Sequence, residues 1–78
     1  MEIVQSLYII DYWVPDIEGI IILIAQSDAE AFEVLSREDA LETNDQTMPN
    51  IIQAQKLILK DEYEPSILQA LITDLKND

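Results

Sequence analysis

The stretch GIIILIAQSDAEAFEVL, residues 19–35, decides how this chain folds. Its residues 20–25 are apolar without a break, and a strand apolar on both faces belongs inside a sheet covered on both sides. The run gives way at once to Ser27-Asp28-Ala29-Glu30, a capping box. The Ser27 hydroxyl can accept from the amide three residues on, while Glu30 reaches back. Asp28 and Glu30 also suit the positive end of a helix dipole, and Arg37 the negative end. The spacing predicts a helix from residue 27 to about 38 that presents Ala31, Phe32, Val34 and Leu35 to the sheet.

Upstream, residues 5–14 (QSLYIIDYWV) are rich in aromatic and β-branched types, as a strand should be. Alternation sends Tyr8, Ile10, Tyr12 and Val14 to one face, and Leu7, Ile9, Asp11 and Trp13 to the other. Residues 15–19 (PDIEG) read as a hairpin connection, with Gly19, the only glycine of the chain, placed for a positive φ angle. The two strands, residues 6–14 and 19–26, then pair antiparallel.

Residues 42–50 are polar and rich in breakers, and read as a loop. A short helical turn at 50–54 and a strand at 55–60 reconcile the mixed pattern that follows. Residues 61–65 form an acidic turn. From residue 66 to 76, Ile67, Leu68, Leu71, Ile72 and Leu75 share one helical stripe, although Ile67, Leu71 and Thr73 also alternate as a strand would. The helix is the preferred reading. The expected fold is α+β: a small antiparallel sheet led by a β-hairpin with helices packed on it, in the order β-β-α-β-α, with a strand as the alternative last element. Two short helices are a thin cover for so much apolar strand. The sheet face left by the first helix is therefore expected to be buried by the C-terminal segment, by a second copy in a homodimer, or by a partner.

At 78 residues the chain is expected to form one domain, near the lower limit for a single unaided core. Sixteen Asp and Glu face four Lys and Arg, for a formal net charge of −12, yet 49% of the residues are hydrophobic. Disorder combines high charge with low hydrophobicity, so this chain is expected to fold and to carry a strongly negative surface. Such a surface repels nucleic acid and anionic lipid, and attracts basic proteins or cations. The opening Met1-Glu2-Ile3 does not read as a secretory signal. No apolar run approaches the roughly 18 to 20 residues that span a bilayer. A cytoplasmic setting is the expectation for a short chain without cysteine.

The chain has no His and no Cys, so the commonest general base and the soft metal ligands are missing. One arginine cannot form a clamp of several guanidiniums, and one glycine cannot form a phosphate-binding loop. No catalytic residue and no cofactor is expected. Carboxylates cluster at Asp11, Asp16 and Glu18; at Asp28, Glu30 and Glu33; at Glu38, Asp39, Glu42 and Asp45; and at Asp61, Glu62 and Glu64. None has the ligand spacing and central glycine of an EF-hand, so no metal site is expected. Solubility alone needs a net charge of only about 2 to 8 in a small domain, which leaves the total charge in want of another reason. Tyr8, Tyr12 and Trp13 read either as sheet core or as an aromatic interface, and Tyr63 as an exposed aromatic.

In size, acidity and absence of catalytic residues the whole chain resembles the small acidic inhibitors of phages and mobile elements, of the anti-CRISPR and anti-restriction type. The resemblance rests on overall character and carries no motif, so no residue role follows from it. It implies a non-enzymatic, DNA-mimic-like inhibitor that occupies a basic nucleic-acid-binding surface of a target protein such as a nuclease complex. The contact residues expected on that reading are Asp28, Glu30, Glu33, Glu38, Asp39, Glu42, Asp45 and Tyr63. The alternative is a homo-oligomeric α+β regulatory or structural module whose acidity serves solubility.

Overall fold

The structure is a computed structural model and describes residues 4–14, 17–38 and 41–74. Six elements follow one another: β1 (Ser6–Val14), β2 (Ile17–Ala25), α1 (Asp28–Ser36), α2 (Thr47–Gln53), β3 (Gln55–Ile58) and β4 (Ser66–Asp74). The strands form one sheet in the order β3-β1-β2-β4, and every pairing is antiparallel. The fold is therefore α+β, led by the expected hairpin.

Alternation along β1 sorts its side chains as the sequence predicts. Tyr8, Ile10, Tyr12 and Val14 are buried, whereas Asp11 and Trp13 are exposed. The register sets Tyr8 against Leu23 and Ile10 against Ile21, so β2 continues the same buried face. Ala31, Val34 and Leu35 of α1 and Ile51 of α2 close over it, with Phe32 packed at the margin. Both helices thus lie on one side of the sheet, α2 over β1 and α1 over β2. The capping box forms: Glu30 N–H donates to Ser27 Oγ at 3.1 Å, and Glu30 Oε1 accepts from Gln26 N–H at 2.8 Å. The helix stops at a C-cap on Arg37.

Five expectations need correction. The hairpin connection is shorter than residues 15–19, because β2 already begins at Ile17; Pro15 and Asp16 lie outside the described residues. Gly19 is not a turn residue but sits inside β2, opposite Tyr12 on one side and Ile72 on the other. A Cβ there would run into the Leu71 carbonyl oxygen and lie 2.9 Å from the Ile72 Cα. Close approach of the β4 backbone, and not a left-handed turn, is what requires glycine.

The supposed loop at 42–50 contains most of α2, which begins at Thr47, earlier than the expected turn at 50–54. Asn44 starts it: its side-chain oxygen accepts from Gln46 N–H at 2.8 Å, and Thr47 Oγ1 accepts from Asn44 N–H at 2.8 Å. Pro49 falls in the first turn, where its missing N–H has no partner to lose. The strand expected at 55–60 ends at Ile58.

The last correction is the largest. Residues 66–74 form β4, the alternative reading, and not the preferred helix. The outer edge of β2 offers a row of unpaired backbone groups beside an apolar strand, and an antiparallel partner satisfies them along eight register pairs. The stripe of Ile67, Leu68, Leu71 and Ile72 is split accordingly; Leu75 lies outside the described residues. A bulge between Ile22 and Leu23 leaves Leu68 as the extra residue. Residues 66–74 therefore widen the sheet and do not cover its second face.

Candidate functional site

Two surfaces stand out, one acidic on the helix side and one apolar on the opposite face of the sheet. On the acidic side, Tyr8 is the anchor. Its hydroxyl donates to Asp28 Oδ1 at 2.9 Å across the start of α1. Lys56 Nζ lies 3.5 Å from the same carboxylate oxygen and 5.3 Å from the centre of the Tyr8 ring, and donates to the Ile52 carbonyl at 2.9 Å. Burial, then the hydrogen bond to Asp28 and the charges of Asp28 and Glu30, push the Tyr8 phenol up to about 12. It stays protonated and keeps donating.

Asp28 and Glu30 are therefore occupied, one by Tyr8 and Lys56, the other by the cap. Glu33, Glu38, Glu42 and Asp45 are exposed. Asp39 lies outside the described residues. The segment carrying Glu42 is held by Tyr12, whose hydroxyl donates to the Glu42 carbonyl at 3.0 Å and accepts from its N–H at 2.8 Å. Asn44 Nδ2 adds a bond to the Trp13 carbonyl at 3.3 Å. Tyr8 and Tyr12 are thus two posts standing about 13 Å apart along β1, one carrying the start of α1 and the other the 42–45 segment. The exposed acids are strung between and beyond them. The Lys56–Asp28 contact is the one ion pair among the described residues.

Tyr63 is exposed at its side chain, but its backbone is fixed. Gln5, buried to 2% exposure, donates from its amide nitrogen to the Tyr63 carbonyl, and its amide oxygen accepts from Tyr63 N–H at 2.6 Å. One glutamine thereby stands in for a strand neighbour. It holds the crossing from β3 to β4 against the end of the sheet, beside the acids Asp61, Glu62 and Glu64.

Among the described residues no helix lies on the opposite face, although Ile24 on it is only 5% exposed. The register arranges its side chains in rows across the sheet: Leu57, Leu7, Ile24 and Ser66; Gln55, Ile9, Ile22 and Gln69; then Asp11, Ile20 and Leu71. Trp13 and Glu18 form the outermost row, at the hairpin end. Leu57, Leu71 and Trp13 are each about half exposed, and Ile20 is 40% exposed. Of the three aromatics weighed as an interface, Tyr8 and Tyr12 are buried core residues, and Trp13 alone lies open.

Alternation in β1 already placed Leu7, Ile9 and Trp13 together on this second face. The rest of the surface, Ile20, Ile22, Leu57 and Leu71, is joined to these residues only by the register of the sheet. Gln5 gave no sequence signal, since nothing near it in the chain is its partner. Among the described residues no group of three carboxylates is placed to hold a metal ion, and no helix is long and apolar enough to cross a membrane. Comparison with protein-family models, characterised proteins and solved structures finds no match to this chain.

Proposed function

We propose that this chain is a non-enzymatic interaction protein that lays carboxylates on a basic surface of a target protein, where that target would otherwise hold nucleic-acid phosphates. The observation that supports the reading is the run of four carboxylates, Glu33, Glu38, Glu42 and Asp45, on and after α1. All four are exposed, on a framework pinned at both ends by tyrosine hydrogen bonds. Fixed carboxylates bind a cationic surface with less ordering cost than carboxylates on a loose loop. Asp28 and Glu30 support the framework and are not the contacts. On this reading the protein acts as an inhibitor of the anti-CRISPR or anti-restriction type, in a setting where nucleases work on DNA.

The test begins with affinity capture and mass spectrometry, followed by measurements on the purified target. Glu33→Lys, Glu38→Lys and Glu42→Lys combined should weaken binding by at least about 100-fold with an unchanged circular dichroism spectrum. Exposed charges are screened over about 8 Å at physiological salt, so association should slow as salt rises. Duplex DNA or RNA should compete for the target. A target that binds nucleic acid and this chain together, with affinity indifferent to salt, would overturn the proposal.

A further inference from the structure

We infer that the uncovered face of the sheet is closed by a second copy of the chain, making a two-fold sandwich whose acidic helices point outward on both sides. The inference is independent of the carboxylate reading, which concerns the other side of the molecule.

Area is the first argument. Four strands spaced by about 4.8 Å, with the longer ones about 30 Å in length, present on the order of 500 Å² of flat face. Two copies would bury about 1,000 Å² counted flat, and more once side chains interdigitate. That reaches the lower range of specific interfaces. Per copy, the face stands at the upper end of what a monomer ordinarily leaves exposed as one patch, a few hundred Å².

Charge distribution is the second argument, and it selects a copy of this chain over a basic partner. The two rows formed by Leu57, Leu7, Ile24 and Ser66 and by Gln55, Ile9, Ile22 and Gln69 contain no ionisable side chain. In a chain of net charge −12, these rows form a neutral field. Within these rows a cationic protein finds no carboxylate to pair with; the acids of this face, Asp11 and Glu18, lie beyond them. A second sheet of the same twist finds apolar rows that stack about 10 Å away.

The two acids on the face, Asp11 and Glu18, both lie towards the hairpin end. A two-fold axis along the strands would bring both pairs together. An axis across the strands puts the hairpin ends at opposite ends of the sandwich and keeps the carboxylates apart. That arrangement stacks Ile9 on Ile9, Ile22 on Ile22 and Gln69 on Gln69. Asp11 lies beyond the last β1–β3 pair, Ile9 with Gln55, at an edge of the face where β3 no longer runs alongside.

The test is sedimentation equilibrium of the full chain at 1–100 μM (a range of order ~100-fold in concentration), with variants on the face. The expected mass is twice 8.9 kDa. Ile20→Glu and Ile22→Glu should each raise the dissociation constant at least about 100-fold, because each buries a carboxylate against its own copy. Ile20 is already 40% exposed, so its variant should keep the circular dichroism spectrum of the parent. The chain has no cysteine, so a single Gln69→Cys should be cross-linked between copies by a bifunctional thiol reagent that spans the gap of about 10 Å between stacked sheets, while Trp13→Cys should not. A monomer at 100 μM (about ten times a working concentration of ~10 μM) would overturn the proposal. So would a dimer indifferent to both glutamates, which would pair through the free edge of β4. Cross-linking through Trp13→Cys in place of Gln69→Cys would overturn the axis.

Discussion

Tyr8 does more than fill the core. Its ring lies in the sheet, its hydroxyl holds the first residue of α1, and Lys56 closes the group from β3. Because its phenol is pushed up to about 12 from an ordinary value near 10, the folded state favours the protonated form. That contribution to stability is complete below about pH 10 and is lost as pH rises towards 12. An absorbance titration of tyrosinate should therefore show one of the three tyrosines ionising late, near pH 12, together with unfolding. Tyr8→Phe should abolish the late step and cost about 1 kcal/mol at neutral pH. A parent chain whose three phenols all ionise near pH 10 while it stays folded would contradict the anchor.

Between elements, the tightest requirement is the contact of β2 with β4 at Gly19. Gly19→Ala should cost about 1–3 kcal/mol in urea unfolding, because the Leu71 carbonyl must retreat from the new methyl group. Gly19→Asn should be no milder. A turn glycine with positive φ would behave otherwise, since asparagine tolerates that conformation. At the start of α1, Ser27→Ala removes the acceptor for Glu30 N–H and should cost about 0.5–2 kcal/mol. Loss of less than that range would mean that the Glu30 bond to Gln26 holds the helix start alone. The two contacts differ in legibility. Ser27 and Glu30 are neighbours in sequence, and the capping box could be read directly. Gly19 and Leu71 are joined by the sheet, and no local pattern announces their approach.

Taken as one body, the chain is a charged shell around an apolar sheet. With one ion pair among the described residues and a net charge of −12, its acids repel one another across the surface. Raising sodium chloride from about 20 to about 200 mM, which shortens the screening distance to below about 10 Å, should raise the melting temperature by about 3 °C or more. A fall in melting temperature would mean that attractive pairs outweigh the repulsion. The same charge limits how copies can meet. It leaves the uncharged rows of the open face as the place where contact costs least.

Periodicity and capping are interactions between close neighbours in the chain, and for that reason they could be read from it directly. The alternation of Tyr8, Ile10, Tyr12 and Val14, the apolar run at 20–25, and Ser27 with Glu30 foretold the hairpin and the first helix. The negative sign of the surface followed from composition alone. Residues 66–74 were different, since their apolar positions fit a helical stripe and a strand about equally. Their conformation was settled by the unpaired edge of β2, more than forty residues upstream, whose backbone groups gained partners only if the segment was extended. From that one long-range pairing came the rest: a glycine needed for close approach, both helices on one side, and an apolar face left open on the other.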